Sequence, residues 1–202
     1  MISAGARSPG VRNNAFILHS VSPSIRRIAA HLRRGGLIAY PTESCYGLGC
    51  DPDNRSAVQR LLKLKRRPQH KGLILIASDY HQVSRYLQPL KPDQQQQLRE
   101  AGAQAVTYLM PARRSAPRWL RGSHDNLAVR LTAHRQAAQL CRGLNSALVS
   151  TSANRSGQRP AKTYAQCLRS LGRKVWVLPG RVGKRKKPST IRAWADGKII
   201  RS

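Results

Sequence analysis

Six short apolar runs set the limits on what this chain folds into: Leu37–Tyr40, Leu73–Ala77, Val106–Met110, Leu127–Leu131, Ala147–Thr151 and Val175–Leu178. Runs of this length suit strands buried on both faces and are too short for core helices. Pro41 ends the first run, because proline cannot donate to a ladder. Between the runs the apolar period changes. Ile25, Ile28, Ala29 and Leu32 recur at helical spacing over Pro23–Arg34, and Gly35-Gly36 supplies the stop. Val58, Leu61 and Leu62 mark a second helix over Ser56–Lys65. Tyr80–Leu87, Asp93–Ala101, His134–Leu144 and Thr163–Leu171 read as further helices. Ser189–Ser202 reads as two strands around Asp196-Gly197, a strong hairpin signal. Strands alternating with helices, closed by a hairpin, predict one α/β domain. Its twisted sheet is expected to mix parallel and antiparallel strands, with helices on its flanks. Residues 1–14 are polar and read as a flexible basic tail, leaving residues 15–202 as the domain.

Charge narrows the partners. Lys and Arg number 37 against 8 acids, a net charge of +29. A surface this basic repels itself unless a polyanion is near, so RNA is the leading partner and phosphorylated small molecules come second. The eight acids are Glu43, Asp51, Asp53, Asp79, Asp93, Glu100, Asp125 and Asp196. They offer no carboxylate pair of the kind glycoside hydrolysis needs, and no protein-built metal cage. Cys45, Cys50, Cys141 and Cys167 show no CxxC spacing, which points to free thiols rather than zinc. The first residues lack the apolar stretch of a signal peptide, and no 18-residue apolar run exists. The expectation is a soluble cytoplasmic protein with no membrane partner.

Four segments carry the residue types of a ligand site. Tyr40–Gly49, YPTESCYGLG, follows a buried strand, where α/β proteins place ligands. It reads as a loop, with hydroxyls at Thr42 and Ser44. Lys63–Lys71, KLKRRPQHK, sits at a helix end. Cations there complement the helix dipole, yet their density exceeds what a cap requires. Lys65 and Arg67, with Lys71 beyond, offer a point charge and a bidentate fork for phosphate oxygens. Ser150–Gly157, STSANRSG, suits a loop whose backbone N–H groups face an anion, or a helix cap. It is not a GxSxG elbow, and no base partner is apparent. Gly180–Thr190 is dense in Lys and Arg, but Gly183-Lys184 is followed by Arg185, so the phosphate-loop consensus is absent. An RNA contact, a mobile loop over a nucleotide and a solvated charge run all remain open for it. Together the segments predict a basic concave cleft for an anionic nucleotide.

In this order, YPTESCYGLGCD, LLKLKRRPQHKGLILIA, VTYLMPA, LAVRLT, LVSTSANRSG and PSTIR resemble the YrdC/TsaC family of threonylcarbamoyl-AMP synthases, in its single-domain bacterial form. The resemblance runs from about Ile25 to Arg201. It implies a nucleotidyltransferase that joins L-threonine, bicarbonate and ATP into threonylcarbamoyl-AMP and pyrophosphate. Partner proteins of a threonylcarbamoyl transferase complex then use the product to modify adenosine 37 of tRNAs reading ANN codons. On matching positions it implies catalytic roles for Lys65, Arg67, Ser152 and Asn154. ATP contacts fall to Lys65, Arg67, Lys71, Asn154 and Arg201, and threonine contacts to Ser44, Arg130, Ser152 and Ser189. Mg²⁺ is expected to arrive with ATP, held by phosphates and water, with no metal site built by the protein. The alternative is a tRNA- or double-stranded-RNA-binding or ribosome-maturation factor with a vestigial cleft. Two places depart from the family pattern: Ala101–Ala105 replaces a Trp-Pro-Gly-Pro, and Ile76 stands where longer members carry a histidine.

Overall fold

The computed structural model describes residues 22–201; the tail expected over residues 1–14 lies outside them. Helix α1, Pro23–Arg33, begins at Ser22, whose hydroxyl accepts the Ile25 N–H. Strands β1 (Ile38–Pro41) and β2 (Tyr46–Cys50) follow. Helix α2, Arg55–Lys65, is capped by Asn54, whose Oδ1 accepts the Ala57 N–H at 2.9 Å. A 3-10 turn (Gln69–Lys71), β3 (Ile74–Ala77), α3 (His81–Ser84) and α4 (Pro92–Ala103) come next. Then come β4 (Val106–Pro111), α5 (Arg118–Arg121), β5 (Asn126–Leu131), α6 (Arg135–Leu144) and β6 (Leu148–Ser152). The chain ends with α7 (Tyr164–Leu171), β7 (Trp176–Val177) and the hairpin β8 (Thr190–Ala193) and β9 (Ile199–Arg201). Thr163 and Gln166 cap α7 reciprocally.

Three expectations are corrected. Residues 46–50, read as part of a loop, form β2; its two glycines hide its strand character. Only His81–Ser84 of the helix expected over Tyr80–Leu87 is α-helical. The basic loop between β4 and β5 holds the short helix α5.

The strands make one mixed sheet in the order β7-β1-β2-β6-β3-β5-β4-β8-β9. Three pairs are parallel (β1–β7, β3–β5, β4–β8), and the rest, including the central run β1-β2-β6-β3, are antiparallel. The terminal hairpin pairs antiparallel, as its sequence implies. Strand alternation sorts side chains to two faces. Leu48, Leu75, Val129 and Val149 pack with α2, α4, α5 and α7 in the larger core. Ile38, Tyr40, Ile76 and Leu148 pack on the opposite face with α1 and α6. Ile76, the position that departs from longer family members, is therefore a fully buried packing residue between those helices.

Gly49 of β2 is dictated by this second face. A Cβ there would stand 2.9 Å from Tyr40 Cε1 and 2.5 Å from the Val149 carbonyl oxygen. The ring of Tyr40 lies across the strand, and its hydroxyl donates to Ser150 Oγ at 2.8 Å, wholly buried. Helices α1 and α6 cover only part of this face. Further along the same strands Gly47, Ser150, Ile74 and Arg130 are left uncovered by helix and line a cavity instead. Among the described residues, no helix is long and apolar enough to cross a membrane.

Candidate active site

The cavity has a volume of about 240 Å³ and is walled by loops that leave the strand ends. The 42–45 loop supplies Thr42, Ser44 and Cys45, and the C-terminal end of α2 supplies Lys65 and Arg67. β5 contributes Arg130, the β6 loop Ser152 and Asn154, and the terminal hairpin Ser189 and Arg201. Eight of the nine site residues expected from the sequence thus meet at one cavity. Lys71 does not: it is exposed, and its backbone carbonyl accepts from Arg67 Nη2 at 3.3 Å. The Ala101–Ala105 segment also lies off this cavity. Ala103, Gln104 and Ala105 line a separate opening together with Glu43 and His134.

Lys65 is only 3% exposed. Its ammonium spends three hydrogen bonds on the β6 loop: Ser152 O at 2.5 Å, Asn154 O at 2.9 Å and Asn154 Oδ1 at 3.2 Å. The Lys65 carbonyl returns a bond by accepting the Ser156 N–H. Two segments 87 residues apart are thereby locked together. Burial, then the nearby Arg67 charge, pull the Lys65 pKa down to about 8. The Asn154 amide is fixed as well, donating to the Arg155 and Gln158 carbonyls.

Arg67 donates through Nε and Nη2 to the Gly72 carbonyl, at 3.3 and 3.0 Å. Arg201 donates to the Ser189 carbonyl at 3.2 Å. Burial holds both guanidinium pKa values below their ordinary range. Arg201 adds to the effect on Arg67, and Arg130 adds to the effect on Arg201. Like charges therefore stand close along this wall. Among the described residues, none places a carboxylate within ion-pair distance of Lys65, Arg67 or Arg201. Such a row is costly when empty and is relieved by a multiply charged anion.

The far end differs. Arg130, 8% exposed, faces Glu43, with Nη2 3.1 Å from Oε2. The Thr132 hydroxyl donates to Glu43 Oε1 at 2.7 Å. Burial alone would raise the Glu43 carboxyl pKa, but the Arg130 charge and the Thr132 hydroxyl outweigh it and hold the pKa below its ordinary value. The sequence reading left Glu43 and Thr132 without roles. The available signal was that Glu43 is the one acid inside the hydroxyl-rich 40–49 segment.

Of the four cysteines, all free, Cys45 lines the cavity and the others are buried. The described residues contain no group of three His, Cys, Asp or Glu that would hold a metal ion.

A small mixed α/β domain with a cationic, hydroxyl-rich cleft on one sheet face is the class this geometry defines. The Sua5/YciO/YrdC family model, described as telomere recombination, matches residues 30–202. The threonylcarbamoyl-AMP synthase of Thiobacillus denitrificans is 53% identical over 173 residues, 86% of this chain and 92% of that protein. That of Methylobacillus flagellatus is 52% identical over 176 residues, 87% and 98% of the two chains. Among solved structures, P. abyssi Sua5 complexed with L-threonine superimposes with a TM-score of 0.79 at 26% identity. That match covers 87% of this chain and about half, 52%, of the P. abyssi protein. E. coli YciO shares the fold, with a TM-score of 0.73 at 22% identity over 89% and 88% of the two chains. The chain belongs to the Sua5/YciO/YrdC family.

Proposed function

We propose that the chain is a threonylcarbamoyl-AMP synthase, condensing L-threonine, bicarbonate and ATP and releasing pyrophosphate. One observation carries the reading. The cleft sets an uncompensated cation row beside a buried arginine–carboxylate pair, which suits a triphosphate next to an amino acid. The curated relatives at about half identity bear the name of this activity.

In the reaction, the threonine nitrogen bonds to the bicarbonate carbon, a C–O bond breaks and water leaves, giving N-carboxy-threonine. An oxygen of the new N-carboxylate attacks the α-phosphorus of ATP, and the bond from that phosphorus to the bridging oxygen breaks, releasing pyrophosphate. Arg67 and Arg201 meet phosphate oxygens with guanidinium forks, and the Lys65 charge stabilises what develops at the α-phosphate. Through its three bonds Lys65 also holds Ser152 and Asn154, which orient threonine and nucleotide. Ser44 and Ser189 add hydroxyls for the amino acid, and Arg130 meets its carboxylate. Lys71 lies outside the cavity walls and would reach only the outer phosphates. No step needs a covalent enzyme intermediate, so positioning and fixed charge supply the acceleration. Mg²⁺ belongs to the substrate. Glu43, the one side-chain carboxylate beside the cleft among the described residues, faces Arg130, so phosphates and water would hold the ion. The product would pass, in the cytoplasm, to a transferase complex acting on tRNA.

The test is pyrophosphate release from ATP, Mg²⁺ and bicarbonate, with and without threonine. Release that requires threonine supports the reading; threonine-independent release or none removes it.

A second property rests on charge distribution. Residues 126–195 contain no Asp or Glu and fifteen Lys and Arg. That stretch is the surface proposed for tRNA or double-stranded RNA. Binding there would weaken steeply with salt. A flat salt dependence would remove this reading and leave the enzymatic one intact.

A further inference from the structure

The Arg130 guanidinium is incompletely satisfied. One terminal nitrogen, Nη2, faces Glu43, while Nε is buried with no acceptor at all. Glu43 Oε2 likewise receives no aligned hydrogen bond, so the contact at 3.1 Å is one of charge. A buried donor without a partner carries the full desolvation cost of that group, and so marks a place for an acceptor. Arg130 lines the cleft, which is where such an acceptor would arrive.

Glu43 is itself held from three sides. The Thr132 hydroxyl fixes Oε1. The Glu43 backbone carbonyl accepts the Arg185 N–H at 3.1 Å, and the Thr42 carbonyl accepts the Gly183 N–H at 2.8 Å. Gly183 packs so closely that a Cβ there would stand 2.7 Å from the Glu43 carbonyl oxygen. The basic 180–187 segment is thus laid against the residue that faces Arg130.

We infer that Glu43 is a positioning residue for the amino-acid carboxylate, anchoring Arg130 through Nη2 so that the rest of its fork stays free for the substrate. The inference rests on the synthase reading. Glu43 touches no reacting atom; it acts through Arg130. A carboxylate suits the place because it accepts from Thr132 and sets a negative charge against Arg130, a charge that glutamine lacks. A glutamine would bring a donor where both neighbours are themselves donors.

The experiment measures threonine and ATP affinities by calorimetry, and KM and kcat by pyrophosphate release, for the full chain and for Glu43→Gln. The expected result is at least a tenfold weaker threonine Kd and higher threonine KM. ATP affinity and kcat should stay within about threefold, since the cation row is untouched. Thr132→Val, which leaves the Arg130–Glu43 charge pair in place, should weaken threonine in the same direction by a smaller factor. It carries the test if Glu43→Gln does not fold, as judged by circular dichroism and thermal melting. Threonine affinity that is unchanged or tighter in folded Glu43→Gln overturns the inference, tighter binding making Glu43 a competing charge instead. An equal loss for threonine and ATP also overturns it, as the mark of a merely structural role. Failure of the parent reading looks different: the unaltered protein would then release no threonine-dependent pyrophosphate.

Discussion

The two ends of the cleft are built on opposite electrostatic plans. At the Arg130 end a buried cation is matched by a buried carboxylate, and a threonine hydroxyl fixes the pair. At the Lys65–Arg67–Arg201 end three cations share a wall with no carboxylate among the described residues; burial and a neighbouring cation, which for Arg201 is Arg130, lower their pKa values. The first end carries its own counter-charge before substrate binds and selects by geometry. The second stores unfavourable charge that only a polyanion relieves. An amino acid and a triphosphate need these two environments, and the sheet places them side by side because α1 and α6 stop short of covering one face.

The largest effect is expected from the uncompensated end. Arg67→Ala should lower threonine-dependent pyrophosphate release by about a hundredfold or more, as loss of a charged transition-state partner typically does. Near-normal turnover in Arg67→Ala would erase the distinction between the ends. Lys65→Ala should be comparably severe, because it removes a charge and also frees the Ser152–Asn154 loop.

Arg130→Ala should separate the ends cleanly. Threonine KM is expected to rise by about tenfold or more, the scale of a lost charge-assisted bond, while ATP KM moves little. A matching rise in ATP KM would mean that the two substrates are not divided along the cleft as argued.

A smaller effect should appear in the pH profile. With its pKa lowered to about 8, Lys65 is protonated below that pH and neutral above it. The value of kcat/KM for ATP reports the free enzyme and should fall as pH rises through about 8. Lys65→Arg, charged throughout, should flatten that limb whatever its absolute rate. A profile unchanged by the substitution would assign the titration elsewhere.

The smallest effect concerns the scaffold. Tyr40→Phe deletes the buried bond to Ser150 and should cost about 1 kcal/mol of stability, read by denaturant unfolding. Both substrate affinities should be nearly unchanged, since Tyr40 does not line the cavity.

Much of the fold was legible because strands and helices here differ in apolar period. Helices α1, α2, α6 and α7 begin and end within a residue of where their apolar spacing and caps place them. Strand β2 was not legible. Its glycines look like a loop until the Tyr40 ring across them is seen, and that contact is a property of packing. Helix α5 was hidden in a Pro- and Arg-rich stretch that has no amphipathic period of its own. At the site, the gathering of Lys65 and Arg67 with the Ser150–Gly157 loop followed from segments at strand and helix ends, while Ser152 and Asn154 within that loop were singled out by the family resemblance. The gathering of Ser189 and Arg201 followed only from the family resemblance, because nothing local ties the terminal hairpin to α2. The Glu43–Thr132 and Glu43–Arg130 contacts were out of reach, since they join loops and strands nearly ninety residues apart in the chain.

The most direct measurement of the central claim is pyrophosphate release by the purified protein with ATP, Mg²⁺ and bicarbonate, compared with and without L-threonine. Release that appears with threonine and is lost in Arg67→Ala is the expected result. Release indifferent to threonine, or none in the presence of all the substrates, would contradict it.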